Sequence, residues 1–109
     1  MHELAIAESV VDTVTQRLPG AKITRVHLEI GALSGVVPDS IKFCFDLATE
    51  GTGLEGAMLE ITEPPGRCRC RSCGTEFQPD PPIVLCPCGS ADVAVLGGEE
   101  LKILSVQVA

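Results

Sequence analysis

The sequence predicts an α+β fold: two helices packed on one face of a three-stranded mixed sheet, with a zinc-ribbon-like domain inserted before the last strand. Three observations point there. Apolar residues recur at helical spacing in residues 3–18 and again after Pro38. Three short runs, 22–30, 57–63 and 101–108, alternate apolar with polar residues. Five of the six cysteines crowd into the Pro- and Gly-rich stretch from Cys68 to Cys88.

In the first helix, Leu4, Ala7, Val11, Val14 and Leu18 step along one face and Val10 widens the stripe. Pro19-Gly20 ends it. In the first strand Thr24, Val26, Leu28 and Ile30 are expected on one face, with Arg25, His27 and Glu29 opposite. His27 reads as a solvated surface histidine. Pro38 suits the first turn of the second helix, and Asp39 beside it reads as a helix-start residue rather than a ligand. Ile41, Cys44, Phe45 and Ala48 form the expected buried stripe, with Leu47 beside them, and Gly51 caps the end. The second strand sets Ala57, Leu59 and Ile61 against Met58, Glu60 and Thr62 until Pro64-Pro65-Gly66 stops it. A helix between the first two strands makes them parallel. Val93 and Val95 suggest a short strand, Gly97-Gly98 a return hinge, and Leu104, Val106 and Val108 the alternating face of the last strand. The main domain is thus 1–65 with 99–109, and the insertion 66–98.

Composition narrows the function. The net charge of −7 leaves few cations to grip a phosphate backbone, so nucleic acid is a poor partner. Arg67, Arg69 and Arg71 read as a solvated arm that offsets thiolate charge. The start lacks a basic n-region and no apolar run is of membrane-spanning length, which points to a cytoplasmic protein and no membrane partner. Clustered cysteines in that compartment mean metal or catalysis more than disulfides. With two histidines in the chain, no nucleophile–base arrangement stands out, and no phosphate-binding loop is present, so no enzyme activity is expected.

Cys70-Arg-Ser-Cys73 is a CxxC, and Cys86-Pro-Cys88 follows as a CxC. Paired sulfurs from two tight turns are the pattern of a four-thiolate zinc site, structural because no position is left for water or substrate. Cys70, Cys73, Cys86 and Cys88 are the preferred set, with Cys68 as the alternate member. Iron would take the same ligands. Cys44 reads as core. At the other end, Met1-His2-Glu3 are by composition three ordinary surface residues. A free amine followed by X-His nevertheless allows a planar chelate from the terminal nitrogen, the His2 amide and the His2 imidazole. Such a chelate suits Ni(II) or Cu(II), and Glu3 or a partner's group would fill the fourth position.

MHELAIAESVVD, VHLEIGALSGVVPDSIKFCFD, LEITEPPGRCRCRSCGTEF, CPCGS and GGEELKILSVQV, in that order, resemble the HypA/HybF family of nickel-delivery accessory proteins of hydrogenase maturation. The resemblance spans the chain. It implies a nickel-binding α+β domain with an inserted zinc domain, His2 and Glu3 at the nickel site, and four cysteines on zinc. It implies transient Ni(II) and structural Zn(II) as the metals. It implies as partners a nickel-loading GTPase and the large-subunit precursor of [NiFe] hydrogenase, with urease served by some members. The family's second pair reads C-P-x-C-G, so Cys86-Pro87-Cys88-Gly89 is one residue short. An exposed edge strand would also allow a homodimer. The competing reading is a zinc-ribbon module for protein or nucleic-acid interaction without nickel transfer, and a third is a CxxC redox enzyme.

Overall fold

The computed structural model describes residues 2–109. Two helices and six strands follow in the order α1 (Glu3–Arg17), β1 (Ile23–Ile30), α2 (Pro38–Thr49), β2 (Met58–Thr62), β3 (Arg67–Cys70), β4 (Glu76–Phe77), β5 (Val93–Gly97) and β6 (Leu101–Val108). The chain divides into two compact units. One contains the segment ending at Leu28, Val36–Ile61 and Lys102–Ala109; the other contains Glu29–Gly35 and Thr62–Leu101.

The first unit is the α+β layer. Its sheet runs in the order β2-β1-β6. The Ala109 N–H donates to the Lys22 carbonyl at one end of the β1–β6 pair, and the Gly31 N–H to Glu100 at the other, so these strands run in opposite directions. Ala32 N–H donates to Pro64 just past the C-terminal ends of β1 and β2, so that pair runs parallel and the sheet is mixed. Helix α1 packs on α2. Ala7, Val10, Val11 and Val14 of α1 and Ile41 and Phe45 of α2 are buried with Val26 and Leu28 of β1. The core is aliphatic apart from Phe45, whose full burial contributes about 2–3 kcal/mol.

Three details depart from the periodicity. Leu4 and Leu47 are exposed, because each lies at the margin of its helix's apolar stripe. In β1 it is Ile23 rather than Thr24 that is buried: Ile23 tucks under the Thr52–Gly56 turn, where its N–H donates to the Gly53 carbonyl. In β6 Leu104 and Val108 are exposed while Ile103 and Val106 are half-buried, lining an apolar hollow with Val14 of α1 and with Leu18 just past its end. Strict alternation therefore holds only over the middle of the sheet.

The second unit carries a small antiparallel sheet in the order β4-β3-β5, with Cys68 opposite Phe77 on one side and Val95 on the other. Of these three strands only β5 is expected from the sequence pattern, through Val93 and Val95. Its base is a close contact of glycines. A Cβ on Gly31 would lie 2.1 Å from the Gly98 carbonyl oxygen, and one on Gly98 would lie 2.5 Å from Gly66 Cα. The Leu33 N–H donates to the Gly98 carbonyl at 2.6 Å. Gly98 is buried at φ +99°, so the expected hinge is a tightly packed turn.

Candidate metal centres

Two turns of the second unit bring four thiols together. In the first, Gly74 N–H donates to the Cys70 carbonyl and Gly74 takes φ +77°. In the second, Gly89 N–H donates to the Cys86 carbonyl and Gly89 takes φ +94°. Each glycine reverses the chain at a φ that side chains rarely adopt, so both cysteines of a turn face inward. The sulfurs of Cys70, Cys73, Cys86 and Cys88 all lie within 4.8 Å of one another. Cys70 Sγ is 3.7 Å from Cys88 Sγ, and Cys73 Sγ is 3.6 Å from Cys86 Sγ. A tetrahedron with Zn–S bonds of about 2.3 Å has edges of about 3.8 Å, so the donor set fits zinc. The short CxC turn reaches the same geometry as the longer CxxC. Cys68 stays outside the group, fully buried between β4 and β5.

Backbone amides aim at these sulfurs. Cys73 N–H donates to Cys70 Sγ and Cys88 N–H to Cys86 Sγ. The Cys73 amide above all holds the Cys70 thiol down at about 6, against the opposing effect of burial. Thr75 lowers Cys73 through its side chain and its N–H. At Cys86 the Cys88 amide also pulls down, but burial and the neighbouring thiols of Cys88, Cys73 and Cys70 outweigh it and push the group up to about 12. One thiolate forms readily and the last resists, because thiolates held this close repel one another. The three arginines lie outside: Arg69 pairs with Glu76 at 3.3 Å and Arg71 with Asp92 at 3.0 Å, both exposed and each worth at most about 1 kcal/mol.

The second candidate centre is at the start of α1. His2 is the N-cap of the helix and is exposed. It opens onto a groove of about 800 Å³ between the first turns of α1 and α2. Glu3, Glu8 and Asp39 supply its charged lining, and Leu4, Phe43 and Cys44 its apolar part. Met1 lies outside the described residues. Among the described residues, only the four cysteines group three or more potential side-chain ligands around one point.

The hydrogenase/urease nickel-incorporation metallochaperone family, HypA, matches residues 1–108. The chain belongs to this family. The hydrogenase maturation factor HypA of Nostoc punctiforme is 52% identical over 108 residues, covering 99% of this chain and 96% of the relative. The protein of the same name from Streptomyces avermitilis is 48% identical over 112 residues, covering 97% and 86%. The fold agrees with the solution structure of the Ni metallochaperone HypA from Helicobacter pylori, at a TM-score of 0.65 and 24% identity over 99% of this chain and 97% of that one. The family is that of nickel metallochaperones for hydrogenase maturation.

Its position beside Pro38 predicts that Asp39 is a helix-start residue only. It is that, in the first turn of α2, but α2 also carries it to the groove beside His2 and Glu3. Glu8 lies off the apolar stripe of α1, and it lines the same groove. Only the packing of α1 on α2 unites them, and nothing in their spacing announces it. Cys44, read as core, is half-buried and reaches the groove from the next turn of α2.

Proposed function

We propose that this chain captures Ni(II) at its first residues and passes it on for assembly of the [NiFe] hydrogenase centre. In this reading the Met1 amine, the His2 amide and the His2 imidazole would donate three nitrogens to the metal, and Glu3 a carboxylate. Asp39 and Glu8 stand in the same groove as further oxygen donors. One observation carries the reading: His2 caps a helix and opens onto a groove whose charged lining is acidic. A dication is drawn to such a groove, and a planar nitrogen set favours nickel or copper over zinc.

The assignment of domains follows. Residues 1–65 and 99–109 hold the cargo, and 66–98 hold Zn(II) at Cys70, Cys73, Cys86 and Cys88. Zinc bound by four thiolates supplies shape and no reaction. The chain is an accessory protein without catalysis of its own. Nucleotide hydrolysis comes from a nickel-loading GTPase, and the recipient is the hydrogenase large-subunit precursor, in the cytoplasm. No helix among the described residues is long and apolar enough to cross a membrane, which agrees with that location. The exposed Leu104 and Val108 on the edge strand β6 support a homodimer as a further assembly.

Nickel calorimetry tests the chelate. Native protein should bind one Ni(II), while His2→Ala, and a chain extended by residues before Met1, should lose that binding. Equal binding by all three would place the nickel elsewhere.

A further inference from the structure

We infer that the apolar ridge beside the N-terminal groove is the docking face for the protein that exchanges nickel with this chain, a partner presenting an apolar socket rimmed by lysine and arginine. Three side chains make the ridge: Phe43 is 67% exposed, Leu47 49% and Leu4 44%. Phe43 and Leu47 stand one turn apart on α2. Phe43 and Leu4 line the groove onto which His2 opens. Ile41 and Phe45 already fill the α2 side of the core, so folding does not explain an exposed phenylalanine. Metal capture does not explain it either, since Ni(II) takes nitrogen and oxygen donors. Aromatic anchors of this kind sit at the desolvated centre of protein interfaces.

Charge selects the occupant. Glu3, Glu8 and Asp39 are the charged residues of the groove lining. Asp46 follows Phe43 by one helical step and Glu50 follows Leu47, while Lys42 is the one cation of α2. A second copy docking by this face would set the same acids against themselves, on a chain already at −7. Nucleic acid and anionic lipid are repelled for the same reason. A protein surface with basic residues around a hydrophobic pocket complements both ridge and rim. The choice of partner rests on the nickel-delivery reading, and the partner named there is the accessory GTPase.

The test titrates the full chain with that GTPase at low and high salt. Wild type should bind more weakly as salt rises, and Phe43→Ala and Leu47→Lys should each lower affinity by about tenfold or more. Leu47→Lys, which lies outside the groove lining, should bind nickel as wild type does. Undiminished GTPase binding by both variants overturns the inference, as does the absence of wild-type binding. Variants that lose self-association while GTPase binding is unchanged also overturn it, by giving the ridge to a second copy. A wild-type chain that takes up no nickel yet docks through Phe43 and Leu47 would refute the terminal chelate and uphold the docking face.

Discussion

Replacing Gly98 by alanine should weaken the second unit, while the same change at its neighbour Gly97 should leave it intact or firmer. At Gly98 the new Cβ would lie 2.5 Å from Gly66 Cα and 3.0 Å from the Pro65 carbonyl oxygen, both backbone atoms that cannot swing away. Gly98 also sits at φ +99°, which costs a side-chain-bearing residue about 1–3 kcal/mol. Overpacking adds about 1–3 kcal/mol. The expected loss is therefore about 2–6 kcal/mol. At Gly97 the nearest neighbours of a Cβ are 3.9 Å away, and φ is not positive. Alanine there restricts the unfolded chain and gains about 0.4–1 kcal/mol. With no Trp or Tyr in the chain, unfolding in urea is best followed by circular dichroism and by release of the bound metal to a chelator. For a slope near ~2 kcal/mol per molar urea, the Gly98→Ala midpoint falls by about 2 M. Equal midpoints for the two variants would mean that the glycine contact is not what closes the base of this unit.

Cys88→Ser should lose stoichiometric zinc and Cys68→Ala should keep it, as metal analysis of purified protein would show; a zinc-free Cys68→Ala would move that residue into the ligand set. Metal binding should also compete with protons in a definite sense. Cys70, held near 6, is a thiolate at neutral pH and takes up a proton as pH falls through that value. Cys86, pushed to about 12, keeps its proton throughout this range until the metal displaces it. Zinc affinity should thus rise with pH between about 6 and 9 by at least one proton's worth, and more steeply below 6. Calorimetry in buffers of different ionisation enthalpy counts those protons, and a pH-independent affinity would contradict the assignment.

Both helices, the three long strands and the metal-binding character of the cysteine stretch could be read from spacing, because each depends on residues close in sequence. Pro38 and Gly51 bracket α2 as expected, and the Cys70 and Cys86 turns rest on the glycine that follows each pair. Less could be read where distant segments decide the outcome. Ile23 is buried because the Gly53 turn folds over it. Strands β3 and β4 are short and charged, and they exist because β5 returns to pair with β3. The groove was invisible for the same reason: Glu3 and Glu8 meet Asp39 only through helix packing. Leu33, unremarkable in a loop, turns out to pack on Gly66 so closely that a Cβ there would come within 2.6 Å.

The β1–β6 pairing has a bearing on the order of folding. The Thr24 hydroxyl reaches the Gln107 carbonyl across 83 residues, whereas Cys70 and Cys88 meet across 18. Closing the longer loop costs about 1.4 kcal/mol more in chain entropy. During folding the four thiols can therefore gather around their ion while the edge of β1 still awaits β6. A chain whose last strand is slow to dock would therefore carry a finished metal knuckle before its main sheet is complete.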